Sequence, residues 1–136
     1  MLRPVATRPL LLVLAVFALA GCGSSAPTDE QQIRAALSEF QRATAARDYA
    51  ALCDRVFAPK LIETVKQIGL PCEVALRKGF EDVEHPHLTV GAIKIEKDRA
   101  TAEVRSSAAG QPPSEDTLEL VRVRDSWRIA SLGTAH

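Results

Sequence analysis

The chain has 136 residues, with 17 basic against 17 acidic side chains and 46% hydrophobic residues, few of them aromatic. That length supports one compact domain with one core and is too short for two. A formal charge of zero, with Lys and Arg scattered, excludes a polyanion-binding groove, so no nucleic-acid partner is expected.

Arg3 and Arg8 give the chain a basic start, and Leu10 to Ala20 forms an apolar run of signal-peptide length. This run falls short of the roughly 20 apolar residues a spanning helix needs. Gly23-Ser24-Ser25-Ala26-Pro27 follows at once, which weighs against a retained transmembrane anchor. The tetrapeptide Leu19-Ala20-Gly21-Cys22 resembles the lipobox of bacterial lipoprotein precursors. The resemblance implies that residues 1–21 are a signal peptide cut between Gly21 and Cys22, and that the Cys22 sulfur carries a diacylglycerol. Two acyl chains hold a protein firmly, which implies a location on the extracytoplasmic face of the cell membrane. The alternative is an ordinary signal peptide, cut after Ala18-Leu19-Ala20, with Cys22 a plain apolar residue. Residues 22–27 then form the lipidated end and a flexible tether, and a five-residue tether reaches at most about 17 Å. Residues 28–136 form the domain.

Thr28 reads as an N-cap, with Gln31 completing a capping box and Asp29 and Glu30 well placed in the first turn. The first helix is predicted to run to about Ala46, with Ile33, Ala36, Leu37, Phe40 and Thr44 on one face. Asp48 is a second N-cap, for a helix over Tyr49 to Val56 that turns Leu52, Val56 and Phe57 inward and Cys53 toward the core side. Pro59 opens a third helix, Lys60 to Ile68, whose apolar positions are Leu61, Val65 and Ile68, and Gly69 ends it. Pro71 opens a fourth, with Cys72, Ala75, Leu76 and Phe80 on its buried face.

Three cysteines are an odd number for an exported chain. If Cys22 is lipidated, Cys53 and Cys72 remain as a pair, and an oxidising compartment favours a disulfide between them. It would close a loop of about twenty residues, worth roughly 3 kcal/mol in the chain-entropy account. A metal or redox role lacks partners, since there is no C-x-x-C and no third or fourth ligand beside His85 and His87.

From Leu88 the period changes from helical to alternating. Leu88 to Ile95 and Ala100 to Arg105 are predicted strands joined by a turn at Glu96-Lys97-Asp98-Arg99, and Ala109 to Pro113 is a longer loop. Two more strands follow, Thr117 to Arg124 and Trp127 to Leu132, around a turn at Asp125-Ser126. Trp127 and Ile129 share a face.

Helices first and an antiparallel meander after, ending in Asp125-Ser126-Trp127-Arg128-Ile129, resemble the nuclear-transport-factor-2-like and SnoaL-like superfamily. Arg47-Asp48-Tyr49-Ala50-Ala51-Leu52-Cys53 and Cys72-Glu73-Val74-Ala75-Leu76 carry the resemblance further, and it is nearest to small actinobacterial extracytoplasmic members with paired cysteines. It implies an α+β fold, with N-terminal helices packed on a curved antiparallel sheet in a cone. Many relatives have Asp-Gly before the tryptophan. Ser126 replaces that glycine here, which bears on the turn and not on the strand.

Enzymes of this fold place an acidic base in the cavity with tyrosine or protonated-acid donors opposite, and few residues here match. Tyr49, the only tyrosine, reads as a packing residue at a helix start. Glu103 alternates with Ala102 and Val104, which turns it to solvent unless Thr101, Glu103 and Arg105 line the cone mouth. His85-Pro86-His87 with Glu81, Asp82 and Glu84 could offer a surface site for a divalent metal, but two imidazoles are too few ligands, and a solvated loop leading into the first strand is the better reading. No nucleophile elbow, phosphate loop, zinc-protease helix or dinucleotide fingerprint is present. Phe40, Tyr49, Phe57, Phe80 and Trp127 are all assigned to the core. The expectation is therefore a non-enzymatic, membrane-anchored binding or accessory module for a partner protein or an apolar small molecule, with no cofactor, metal or catalytic residue. The alternative is an isomerase- or cyclase-like enzyme with its acid and base at unrecognised positions.

Overall fold

The computed structural model describes Gly21, Gly23 and residues 25–133. Apart from Gly21, the expected signal peptide lies outside the described residues, and so does the expected lipidation at Cys22.

Helix α1, Asp29–Ala45, begins as its sequence requires. Thr28 Oγ1 accepts from the Gln31 amide, and the Thr28 amide donates to Gln31 Oε1, which satisfies two otherwise open donors. Ile33 and Leu37 of this helix are fully buried. Helix α2, Tyr49–Ala51, is capped by Asp48 and runs straight into a π-helical turn, Leu52–Val56. The regular helix expected up to Val56 is thus widened in its second half. The physical reason is tertiary, because the next residues must join the sheet: Ala58 N–H donates to Ile129 C=O at 2.8 Å, and Phe57 pairs with Ile129 in a parallel bridge. Helix α3, Pro59–Gln67, has Pro59 in its first turn and contributes no fully buried residue. Ile68, just beyond it, is 73% exposed, so the helix lies on the domain as an outer layer. Helix α4, Cys72–Gly79, buries Cys72 and Leu76.

Among the described residues four strands form one antiparallel sheet in sequential order: β1, His87–Glu96; β2, Arg99–Ser107; β3, Ser114–Val123; and β4, Ser126–Ser131. The expected α+β fold with a curved sheet is what the chain adopts. β1 shifts register against β2 between Val90 and Ile93, and β3 shifts against β4 at Glu119/Leu120. Irregularities of this kind bend a sheet and increase its twist. One face of the sheet carries Ala100, Ala102, Val104, Leu118, Leu120 and Ile129, all buried beneath α1 and the π-turn. The other presents exposed Thr89, Glu103, Arg105, Glu115 and Thr117. Glu103 therefore faces solvent.

Strand ends move by one to three residues against expectation, and two of these shifts matter most. The last hairpin turns at Arg124-Asp125, with Val123 opposite Ser126, one residue earlier than expected. Arg124 takes the positive φ of 57°, so Ser126 needs no glycine-like conformation. β3 also starts at Ser114 and not at Thr117, which adds the half-buried Ser114 and Asp116 to the inner face.

The hairpin turns at Lys97-Asp98 and Arg124-Asp125 lie at one end of the sheet, together with the start of α1. The loop between β2 and β3 lies at the other end, with the end of α1. At 1.5 Å per residue, α1 separates the two ends by about 25 Å.

Candidate functional site

A cleft of about 250 Å³ opens at the end of the sheet farthest from the start of α1. Its floor is the inner face of β2 and β3: Val104, Ser106, Ser114, Asp116 and Leu118. Phe40, Gln41 and Thr44 from the second half of α1 form one wall. Phe80, at the end of α4, forms another with Val83, Pro86 and His87. The β2–β3 loop lines the cleft with Gln111 and Pro112, and two hydrogen bonds hold it there: Ala109 N–H donates to Glu84 C=O (2.8 Å) and Gln111 Nε2 donates to Asp82 C=O (2.9 Å). Leu132 reaches the rim from beyond β4, where Gly133, at φ 79°, lies so close to Thr117 that a Cβ would come within 2.9 Å of its carbonyl oxygen. A larger depression of about 450 Å³ lies between Glu103, Arg105 and Glu115. It is a groove in the charged outer face, and apolar recognition needs the walls of the inner cleft instead.

The polar groups of the floor form a chain. Ser114 Oγ donates to Asp116 Oδ2 at 2.9 Å, and Ser106 Oγ lies 2.8 Å from Ser114 Oγ. Register explains the grouping, because Val104 pairs with Asp116 and Ser106 with Ser114 on the same face. Gln41 is fixed across from them by accepting the Leu88 amide at 3.0 Å.

At the opposite end, Trp127 and Arg122 grip the first turn of α1. Arg122 Nη2 is 2.7 Å from Asp29 Oδ1, Trp127 Nε1 donates to the same oxygen at 3.3 Å, and the guanidinium lies over the indole at 4.7 Å. The hydrogen bond from Arg122, and then that from Trp127, holds the Asp29 carboxyl below the ordinary aspartate value.

Of the expected site residues, Gly21 is exposed and Cys22 is outside the described residues. Cys53 and Cys72 are joined by a disulfide with Cα atoms 6.1 Å apart, consistent with the expected pairing. The link ties the π-turn to the start of α4, whose far end carries the Phe80 wall. Tyr49 is buried in the core, away from the cleft. His85 and His87 are both exposed, and among the described residues no three His, Cys, Asp or Glu side chains converge to hold a metal. Phe40 and Phe80 are only partly buried and line the cleft, which corrects their assignment wholly to the core. Asp116 is the interior acid that sequence reasoning passed over. The signal was there: counting back in twos from Leu120 and Leu118 reaches Asp116 and Ser114.

No protein-family model and no curated protein matches the chain. Solved structures do. An NTF-2-like protein of unknown function from Silicibacter pomeroyi DSS-3 is similar at 22% identity and a TM-score of 0.55, over 74% of this chain and 88% of that one. An NTF2-like protein of unknown function from Shewanella baltica OS155 is similar at 15% identity and a TM-score of 0.56, over 82% and 98%. The fold is NTF2-like. A de novo designed NTF2-fold protein is similar at 13% identity and a TM-score of 0.52, over 79% and 87%. At such identities the NTF2-like likeness concerns the backbone, and function must be argued from the cleft.

Proposed function

We propose that this chain is a lipid-anchored, extracytoplasmic module that binds an apolar small molecule in its inner cleft. The observation that carries the reading is the cleft itself, in which Phe40, Phe80, Val83 and Leu118 stand around the short Ser106–Ser114–Asp116 chain of polar groups. Its volume lies just below the usual range of roughly 300–1,000 Å³ for small-molecule sites, which favours a compact ligand over a lipid with full-length acyl chains. The lipobox-like Leu19-Ala20-Gly21-Cys22 supports the anchor. A tether entering at Asp29 would hold the hairpin-turn end near the bilayer and leave the cleft opening about 25 Å farther out. The ligand then arrives from the aqueous side. Binding of the neutral fluorophore N-phenyl-1-naphthylamine tests the reading: its emission should rise with the wild-type chain and fail to rise with Val104→Phe, which fills the floor. Equal enhancement by both, with Val104→Phe still folded, would contradict it.

Asp116 also favours a second reading, an isomerase- or cyclase-like enzyme with this carboxylate as the base. The donor that such chemistry needs opposite the base is not supplied by Tyr49, which lies in the core. We expect no turnover of steroid-like or polyketide-like substrates. Turnover that disappears in a folded Asp116→Asn variant would establish the enzymatic reading.

A further inference from the structure

The floor of the cleft has spent all its protons. Ser114 has one hydroxyl hydrogen and gives it to Asp116 Oδ2, so in the 2.8 Å contact between the two serines Ser106 must be the donor. What remains unused on the floor is acceptor capacity: the Asp116 carboxylate oxygens and the lone pairs of Ser106. Asp116 also forms no ion pair with any Lys, Arg or His among the described residues. Its neighbour Glu115 pairs with Arg105 on the outer face, and His87 stands on the cleft wall beyond ion-pair distance. A half-buried negative charge with one hydroxyl donor and no cation is incompletely compensated. The groups around it, Phe40, Phe80, Leu118 and Val104, can cover hydrocarbon or an aromatic ring, and the Gln41 amide on the facing wall offers only neutral donors, so none of them neutralises charge.

From this juxtaposition we infer that the cleft takes a small organic cation: an ammonium group on the Asp116–Ser106 floor, carrying a compact apolar body between Phe40 and Phe80. An ammonium offers several donors and a positive charge to a floor that offers only acceptors, whereas a carboxylate head would meet like charge and a hydroxyl would supply a single donor. The inference rests on the small-molecule reading of the cleft and adds the class of ligand.

Titration calorimetry of the chain with 4-phenylbutylamine, 4-phenylbutanol and 4-phenylbutyrate tests it, because the three probes share one apolar body. The amine should bind at least about tenfold more tightly than the alcohol, and the acid should not bind measurably. Asp116→Asn should remove that preference for the amine, while Glu103→Gln on the outer face should keep it. If the alcohol or the acid binds as tightly as the amine, or if Asp116→Asn retains the preference, the ligand class is wrong although the cleft still binds. If none of the three binds, the small-molecule reading itself fails and this inference with it.

Discussion

Arg122 on β3 and Asp29 in the first turn of α1 meet at 2.7 Å, with the indole of Trp127 beneath the guanidinium and its N–H on the same carboxylate oxygen. Helix start, inner strand and last strand are thereby fastened at the end of the domain where the chain enters α1. The carboxylate also stands at a helix N-terminus, where the helix dipole favours negative charge.

The first prediction concerns acid stability. Because the Asp29 carboxyl is held below its ordinary value, its contribution is present above the unfolded-state value, about pH 4, and is lost as pH falls through the lowered folded-state value. Asp29→Asn should melt below the wild type at pH 7, and the two melting temperatures should converge on the acid side of pH 4. Parallel curves with a constant gap down to the lowest pH would show that titration of Asp29 contributes nothing.

A second prediction concerns the Cys53–Cys72 link. It joins segments separated by 19 residues, so removing it restores freedom to the unfolded chain. Non-reducing digestion should yield the two cysteine peptides joined, and the Cys53→Ala/Cys72→Ala double variant should lose about 2–5 kcal/mol in denaturant unfolding. Free thiols at both positions in protein taken from its native compartment would contradict this.

The third prediction concerns the address. Acyl labelling of the full chain should be abolished by Cys22→Ala, because no other residue beside the cleavage region can form the thioether, and the variant should remain unprocessed or become soluble. Labelling that persists in Cys22→Ala would rule out this anchor.

Much of the fold is legible in residues whose local chemistry agrees with their tertiary role. Thr28 and Gln31 announce the start of α1 in any context, and the alternation of Ala100, Ala102 and Val104 fixes the inner face of β2. The π-turn at Leu52–Val56 is not legible, because its widened hydrogen bonding is imposed by Ala58 pairing with Ile129, far away in sequence. Asp116 was hidden for a compositional reason. Ser114-Glu115-Asp116 reads as loop by composition, so the alternation running back from Leu118 is masked there, and the pairing with Val104 and Ser106 is what extends the strand through it. Phe40 continues the apolar stripe of α1 and so reads as core, although α1 reaches past the covered part of the sheet and leaves the ring on a cleft wall.

The central claim is that the inner cleft of an anchored NTF2-like domain holds a small molecule. Native mass spectrometry of the protein extracted from its own membrane, compared with a Ser106→Phe variant that obstructs the floor, tests it most directly. The account predicts a covalent acyl mass on both proteins and an additional non-covalent small-molecule mass on the wild type alone. An identical non-covalent mass on both, or none on the wild type, would contradict it.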